Sequence, residues 1–243
     1  MAITIKNGAR LGSGLVLRND YTTPYPSPLV TDGLLLNFDA ATYTSGNWID
    51  GVSGVEATPH NSPAWNSGNG GTFVLSGTAH FTVPWTTFQP AYTIDIWFNL
   101  NGAQPGSACL ISDEFTGPFE FCIQATGNRI KTGWYPNNWE GQFADNNVGA
   151  EFTHDGSTWY NITMSVPAAS GYKDYINGAV SLDQPGTTPP NASSPSQRFY
   201  IGHRWDLDDT IQGKIAVVNI YDRALSDAEV AQNFDHYKMR FGL

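Results

Sequence analysis

Residues 172–183 read YKDYINGAVSLD, two short runs around Asn177-Gly178. Asn-Gly strongly favours the tight turn of a β-hairpin, because both central residues of that turn need a positive φ. The same grammar extends in both directions. Strand-like runs precede it at Gly33–Phe38, Thr72–Leu75, His80–Val83, Tyr92–Leu100, Ala108–Ser112, Phe119–Gln124, Trp159–Val166 and Lys173–Ile176, and follow it at Arg198–Gly202 and Lys214–Tyr221. Asp50-Gly51, Asn101-Gly102 and Asp155-Gly156 supply further turn signals. This spacing predicts a two-sheet all-β sandwich rather than alternating β and α units. One helix is expected, at the C-terminus: Ser226-Asp-Ala-Glu229 is a capping box, followed by Val230, Phe234 and Tyr237 on one face. Residues 183–197, DQPGTTPPNASSPSQ, read as a long loop.

Composition agrees. The chain of 243 residues carries 13% aromatics with eight Trp, but only 14% charged residues, against about 25% in an average soluble domain. It can bury a large aromatic core, and its polar surface comes mainly from Asn, Thr, Ser and Gly. Trp48, Trp97 and Trp159 fall at strand positions expected to pack in that core. The net charge of −10 argues against nucleic acid, whose phosphates need a basic patch. No stretch approaches the ~18 apolar residues of a membrane span, so no membrane insertion is expected. The opening MAITIKNGARLGSG lacks the apolar core of a secretory signal.

The first 31 residues differ from the rest. Lys6, Arg10 and Arg18 oppose Asp20 alone, giving +2 there and −12 in the remainder of a chain whose total is −10. Ile3 with Ile5 and Leu15 with Leu17 form two short period-two apolar patches, too small for a core of their own. Pro24, Pro26 and Pro28 then make an extended, semi-rigid spacer. Residues 1–31 are read as an extended N-terminal anchoring arm and spacer, with Ile3, Ile5, Leu15 and Leu17 as its gripping side chains, and residues 32–243 as the body.

Four stretches carry a family resemblance: DGLLLNFDAATYTSGNWIDGVSG from Asp32, YTIDIWFNLNG from Tyr92, HDGSTWYNITMSV from His154 together with the Asn-Gly hairpin, and the closing segment from Phe199 through IYDRALS to Leu243. Together they resemble the concanavalin A-like lectin/glucanase superfamily in its laminin G-like form. The resemblance implies a jelly-roll sandwich of two antiparallel sheets. The closing segment is most similar to versions in tailed-phage structural proteins. That likeness implies a virion surface protein (a capsid decoration, spike or fibre subunit) assembled in the host cytoplasm, homo-oligomeric, held to other virion proteins by residues 1–31 and displaying a lectin-like domain to host surface polysaccharide.

Catalysis is not expected. Glucanases of the superfamily align carboxylates on one strand as Glu-x-Asp-x-x-Glu, and retaining hydrolysis needs two carboxyls about 5 Å apart. Here Thr93 and Phe98 occupy the two glutamate positions and leave Asp95 alone. The chain's glutamates are Glu56, Glu114, Glu120, Glu140, Glu151 and Glu229, and none is marked as a partner. There is no Gly-x-Ser-x-Gly elbow and no phosphate-binding glycine loop. His60, His80, His154, His203 and His236 lie in separate segments without metal-ligand spacing and are read as ordinary polar residues.

Binding has better signals. Trp134, Tyr135, Asn137, Asn138 and Trp139 crowd aromatic rings and amides into one expected loop or strand end. Such rings suit the C–H faces of sugars, and amides suit their hydroxyls. The same aromatics would equally cover a sheet edge or a subunit contact, which is the purely structural alternative. Asp206, Asp208 and Asp209 are candidate oxygen ligands for Ca²⁺ or, in the plainer reading, a solvated turn; Asp113-Glu114 and Asp50 are weaker candidates. Cys109 and Cys122 flank an expected hairpin that could bridge them, with two buried thiols the preferred reading.

Overall fold

The computed structural model describes residues 10–11, 15–16, 26–84, 90–105, 108–113, 120–126, 129–135, 146–148, 152–185, 198–204 and 209–243. At 10–11, 15–16, 120–126, 129–131, 133–135 and 146–148 the description is of backbone alone. A two-stranded ribbon pairs β1 (Arg10–Leu11) with β2 (Leu15–Val16). The body runs β3 (Leu34–Asp39), β4 (Trp48–Ile49), β5 (Glu56–His60), β6 (Ala64–Asn66), β7 (Thr72–Leu75), β8 (His80–Pro84), β9 (Tyr92–Asn101), β10 (Cys109–Asp113) and β11 (Glu120–Thr126). It continues β12 (Arg129–Tyr135), β13 (Asn146–Val148), β14 (Asp155–Val166), β15 (Tyr172–Ile176), β16 (Ala179–Gln184), β17 (Arg198–Ile201) and β18 (Gly213–Tyr221), and ends in α1 (Asp227–Phe241).

Two antiparallel sheets result. The front sheet has the order β16-β15-β14-β9-β18-β7-β6, with β3 beside the far half of β18; the back sheet has β13-β12-β11-β10-β17-β8-β5-β4. This is the expected jelly-roll sandwich with one C-terminal helix. Alternate residues of each strand meet between the sheets: Leu36, Phe38, Ile94, Ile96, Phe98, Ile162 and Met164 from the front, Phe81, Val83, Ile111, Phe199 and Ile201 from the back, all buried. Trp48 seats its ring among Phe38, Phe73 and Phe81 at centroid distances of 5.4, 4.9 and 5.4 Å.

The hairpin forms as its sequence requires. Asn177 and Gly178 take φ of +50° and +75°, and a Cβ on Gly178 would stand 2.8 Å from Cβ of Phe234. The turn therefore packs against α1, which itself lies across the outer face of the front sheet. Ser226 and Glu229 close the capping box, and Phe234 and Phe241 stack on Trp97 at 5.6 and 4.5 Å. Trp97 and Trp159 are buried as expected, but in the layer between sheet and helix rather than between the sheets. Residues 27–30, at the end of the spacer, are stitched to the same helix: Asn233 accepts from Val30 N, and Gln232 and His236 reach the carbonyls of Pro28 and Ser27.

Cys109 is disulfide-bonded, so the preferred reading of two thiols is corrected; Cys122 is the only other cysteine in the sequence. Among the described residues, no helix is long and apolar enough to cross a membrane.

Candidate functional site

Several residues singled out from sequence lie outside the described residues: Ile3, Ile5, Leu17, Asn137, Asn138, Trp139, Asp206 and Asp208. Leu15 lies in β2. Trp134 and Tyr135 end β12, opposite Phe121 and Glu120 respectively. Asp209 is partly exposed. Asp50 spends both oxygens on the Asp50–Gly54 turn, accepting from the N–H groups of Val52, Ser53 and Gly54, from Ser53 Oγ, and from Asn37 N across the turn. No group of three His, Cys, Asp or Glu side chains is placed to hold a metal ion among the described residues.

Asp95 lies on the face of β9 that α1 covers, and is 0% exposed. The register sets Thr163, Asp95, Asn219 and Asn37 side by side across β14, β9, β18 and β3. Asp95 accepts from Asn161 Nδ2 (2.5 Å), Thr163 Oγ1 (2.9 Å) and Asn219 Nδ2 (2.8 Å). Asn37 Nδ2 donates onward to Asn219 Oδ1 and to Tyr237 Oη on the helix. Burial pushes the Asp95 carboxyl up, and the three donors oppose it. The position where a glucanase-like strand would carry its acids is here a sealed polar layer that joins sheet to helix.

The histidines are not all dispersed. His60 and His80 are cross-strand partners on β5 and β8, on the face turned away from Phe81 and the core. His60, His80 and His203 stack in one column, with centroids 4.8 and 4.3 Å apart and ring planes 12° and 15° from parallel. Tyr200 tilts against it. Strand pairing between distant segments brings these three together.

A cleft of about 400 Å³ lies at the loop end of the front sheet. Four connections build it. Ser76 follows β7, Asn101 and Gly102 end β9, Asp155 and Gly156 begin β14, and Gln212, Gly213 and Lys214 lead into β18. Gly102 and Gly156 have φ of +69° and +71°, and a Cβ on Gly156 would stand 3.0 Å from Asn101 Oδ1. Glycine thus lets the two turns close on each other while their side-chain amide and carboxylate face outward. Gln104 braces the floor. Its Nε2 donates to the carbonyls of Gly102 (3.1 Å) and Gln212 (2.8 Å), and its Oε1 accepts from Gln212 N (2.8 Å).

Asp155 accepts from Ser157 N, Thr158 N and Thr158 Oγ1; these N–H groups, Thr158 foremost, hold its carboxyl well below the usual range. Lys214 Nζ crosses to the carbonyl of Gly156 at 3.2 Å. The cleft therefore presents an amide, a fixed carboxylate, an ammonium and a second amide around one opening. These groups suit a polyhydroxylated ligand, and the bracing reduces the ordering cost of binding one. Asn101-Gly102 and Asp155-Gly156 were legible as turns, but nothing in the sequence says that the two turns meet.

A family model described as concanavalin A-like lectin/glucanases superfamily, the Laminin_G_3 model, matches residues 75–231. Among solved structures, domain 4 of AbnA, a GH43 extracellular arabinanase from Geobacillus stearothermophilus in complex with arabinotriose, superposes with a TM-score of 0.62 at 16% identity. The match covers 82% of this chain and 97% of that one. Trypanosoma rangeli sialidase in complex with sialic acid gives a TM-score of 0.62 at 17% identity, over 90% of this chain and 37% of the sialidase. The botulinum neurotoxin serotype D binding domain gives 0.60 at 13% identity, over 84% of this chain and 52% of that one. At such identities the likeness is one of fold. No curated protein matches the chain.

Proposed function

The chain belongs to the concanavalin A-like lectin/glucanases superfamily, and on that premise we propose that it binds glycans without cleaving them, through the cleft between Asn101, Asp155, Gln212 and Lys214. The single observation that carries this reading is the bracing of that cleft by Gln104, which ties the connection after β9 to the one before β18 so that hydroxyl-binding groups converge on one opening. The burial of Asp95 beneath α1 supports the non-catalytic half, since a carboxylate out of reach of substrate cannot serve as nucleophile or acid. Arabinotriose bound in the AbnA domain, a structure of similar fold, favours the ligand class.

The proposal extends to the setting. The closing segment's similarity to tailed-phage structural proteins supports a virion surface protein, with residues 1–31 held by the particle and the jelly roll facing host polysaccharide. Weak single-site contacts then suffice, because many copies on one particle raise the effective concentration of each.

The test is a glycan array and host-cell pulldown with the chain displayed in many copies, alongside Asn101→Ala and Lys214→Ala. Binding that both variants reduce is expected. No binding at high avidity would overturn the reading.

A further inference from the structure

Lys214 carries an ammonium that its own surroundings leave unneutralised. Lys173, Arg223, Lys238 and Arg240 each hold a carboxylate oxygen at 3.0 Å or less. Lys214 forms no ion pair among the described residues. Its neighbours in register are Val74 on β7 and Asn99 on β9, so strand pairing sets no carboxylate beside it. Its Nζ donates to one neutral acceptor, the carbonyl of Gly156 at 3.2 Å. An ammonium has three N–H donors, so two remain for a ligand in the cleft that Lys214 lines.

The charge stands at a fixed point. A Cβ on Gly213 would collide with the carbonyl oxygen of Asn99, so β18 enters the sheet pressed against β9 and the stem of Lys214 starts from that contact. Further donors share the opening. Gln212 Nε2 spends one hydrogen on the Thr210 carbonyl at 3.1 Å and keeps the other, and the Asn101 amide and Ser76 hydroxyl line the same cleft. Asp155 supplies the only carboxylate among the described lining residues. It is partly spent on its own turn, where Oδ1 accepts from Ser157 N and Thr158 N and Oδ2 from Thr158 Oγ1. The cleft is therefore polarised, with a cation at Lys214 and, at Asp155, lone pairs that suit hydroxyl donors. The chain's net charge of −10 acts mostly from farther off, where salt screens it over about 8 Å.

We propose that the glycan taken by this cleft is an acidic one, a sugar whose carboxylate is received by Lys214 while its ring hydroxyls donate to Asp155. This rests on the glycan-binding reading and names its ligand class. One carboxylate oxygen takes the ammonium, and the other is left for an amide N–H of Asn101 or Gln212. A charge-assisted bond of this kind outweighs the neutral hydroxyl contact that an uncharged sugar makes at the same place.

The experiment titrates the full chain, displayed in many copies, with oligosaccharides of glucuronic, galacturonic and N-acetylneuraminic acid, with the methyl ester of each, and with neutral glucose and galactose oligomers. Esterification removes the charge and leaves the hydroxyls in place. At least one free acid is expected to bind about three- to tenfold more tightly than its ester and than the neutral oligomers. Lys214→Gln should erase that difference and Lys214→Arg should keep it, each compared after far-UV circular dichroism shows the variant folded. The acid-against-ester comparison in wild type decides the ligand class without either variant. Esters or neutral oligomers that bind as well as the free acids would overturn the acidic ligand and leave the glycan reading standing. A preference for acids that survives in Lys214→Gln would also overturn the proposal, since the charge would then be read elsewhere. Absence of binding by every saccharide would overturn both readings.

Discussion

Gln104 and Gln212 hold each other in a closed exchange: Gln212 N donates to Gln104 Oε1 and Gln104 Nε2 donates back to the Gln212 carbonyl, both at 2.8 Å. The pair ties the connection after β9 to the connection before β18, and Asn101 N adds a third bond to the same Gln212 carbonyl.

Gln104→Ala leaves Gln212 N without its acceptor and removes one donor from the carbonyls of Gly102 and Gln212, the latter keeping Asn101 N. A loss of about 1–3 kcal/mol in denaturant unfolding is expected. Glycan affinity should fall as well, although Gln104 does not line the cleft.

Asp95→Asn turns an amide N–H₂ toward donors that the carboxylate accepts from. A destabilisation of about 1–3 kcal/mol is expected, read by thermal or urea unfolding. A reducing-end assay over a β-glucan panel should give no turnover for either protein. Wild-type turnover abolished by this substitution would restore a catalytic role to Asp95.

Asp174 is buried between the sheets, where Thr132 Oγ1 donates to its Oδ2 and Oδ1 has no partner. Burial pushes its pKa up to about 7 from 3.8. Between those values the unfolded chain ionises freely while the folded one holds its proton, so this group's contribution is complete below pH 3.8 and is lost as pH rises through about 7. Asp174→Asn should therefore match wild type near pH 4 and exceed it at pH 8 by a few kcal/mol, measured as urea midpoints at the two pH values.

His80 behaves in the opposite sense. Burial lowers its pKa below 6.5, with His60 adding to the shift and its bond to the Thr78 carbonyl opposing it. The unfolded chain then binds the proton more readily, so stability from this group is present above pH 6.5 and lost as pH falls below it. His80→Gln should lose less stability than wild type between pH 7.5 and pH 5.5, compared by thermal melts in the same buffers.

Much of the architecture was legible because local chemistry and global fold agree. Asn177-Gly178 announces its hairpin, and Ser226 with Glu229 announces the helix start. The alternation in β9 announces a strand with Ile94, Ile96 and Phe98 on its inner face. Two strands at or next to a sheet edge were not legible. β5 is Glu-Ala-Thr-Pro-His, with Pro59 inside the run, and β6 is three exposed residues, so neither shows an apolar period.

The functional surface was less legible, because it depends on pairings between distant segments. His60, His80 and His203 meet through the order β17-β8-β5. Asp95 is hidden by a helix that begins 132 residues later. Asn101 and Asp155 each look like an ordinary turn residue until β9 and β14 lie side by side.

One titration tests glycan adhesion at the cleft most directly. Wild type and Lys214→Ala, each displayed in many copies, are titrated with the tightest glycan from the array, and the recovered saccharide is sized afterwards. Saturable binding by wild type, about tenfold weaker in the variant, with the saccharide returned intact, is the expected result. Equal affinity in the two proteins, or shortened saccharide after incubation with wild type, would contradict it.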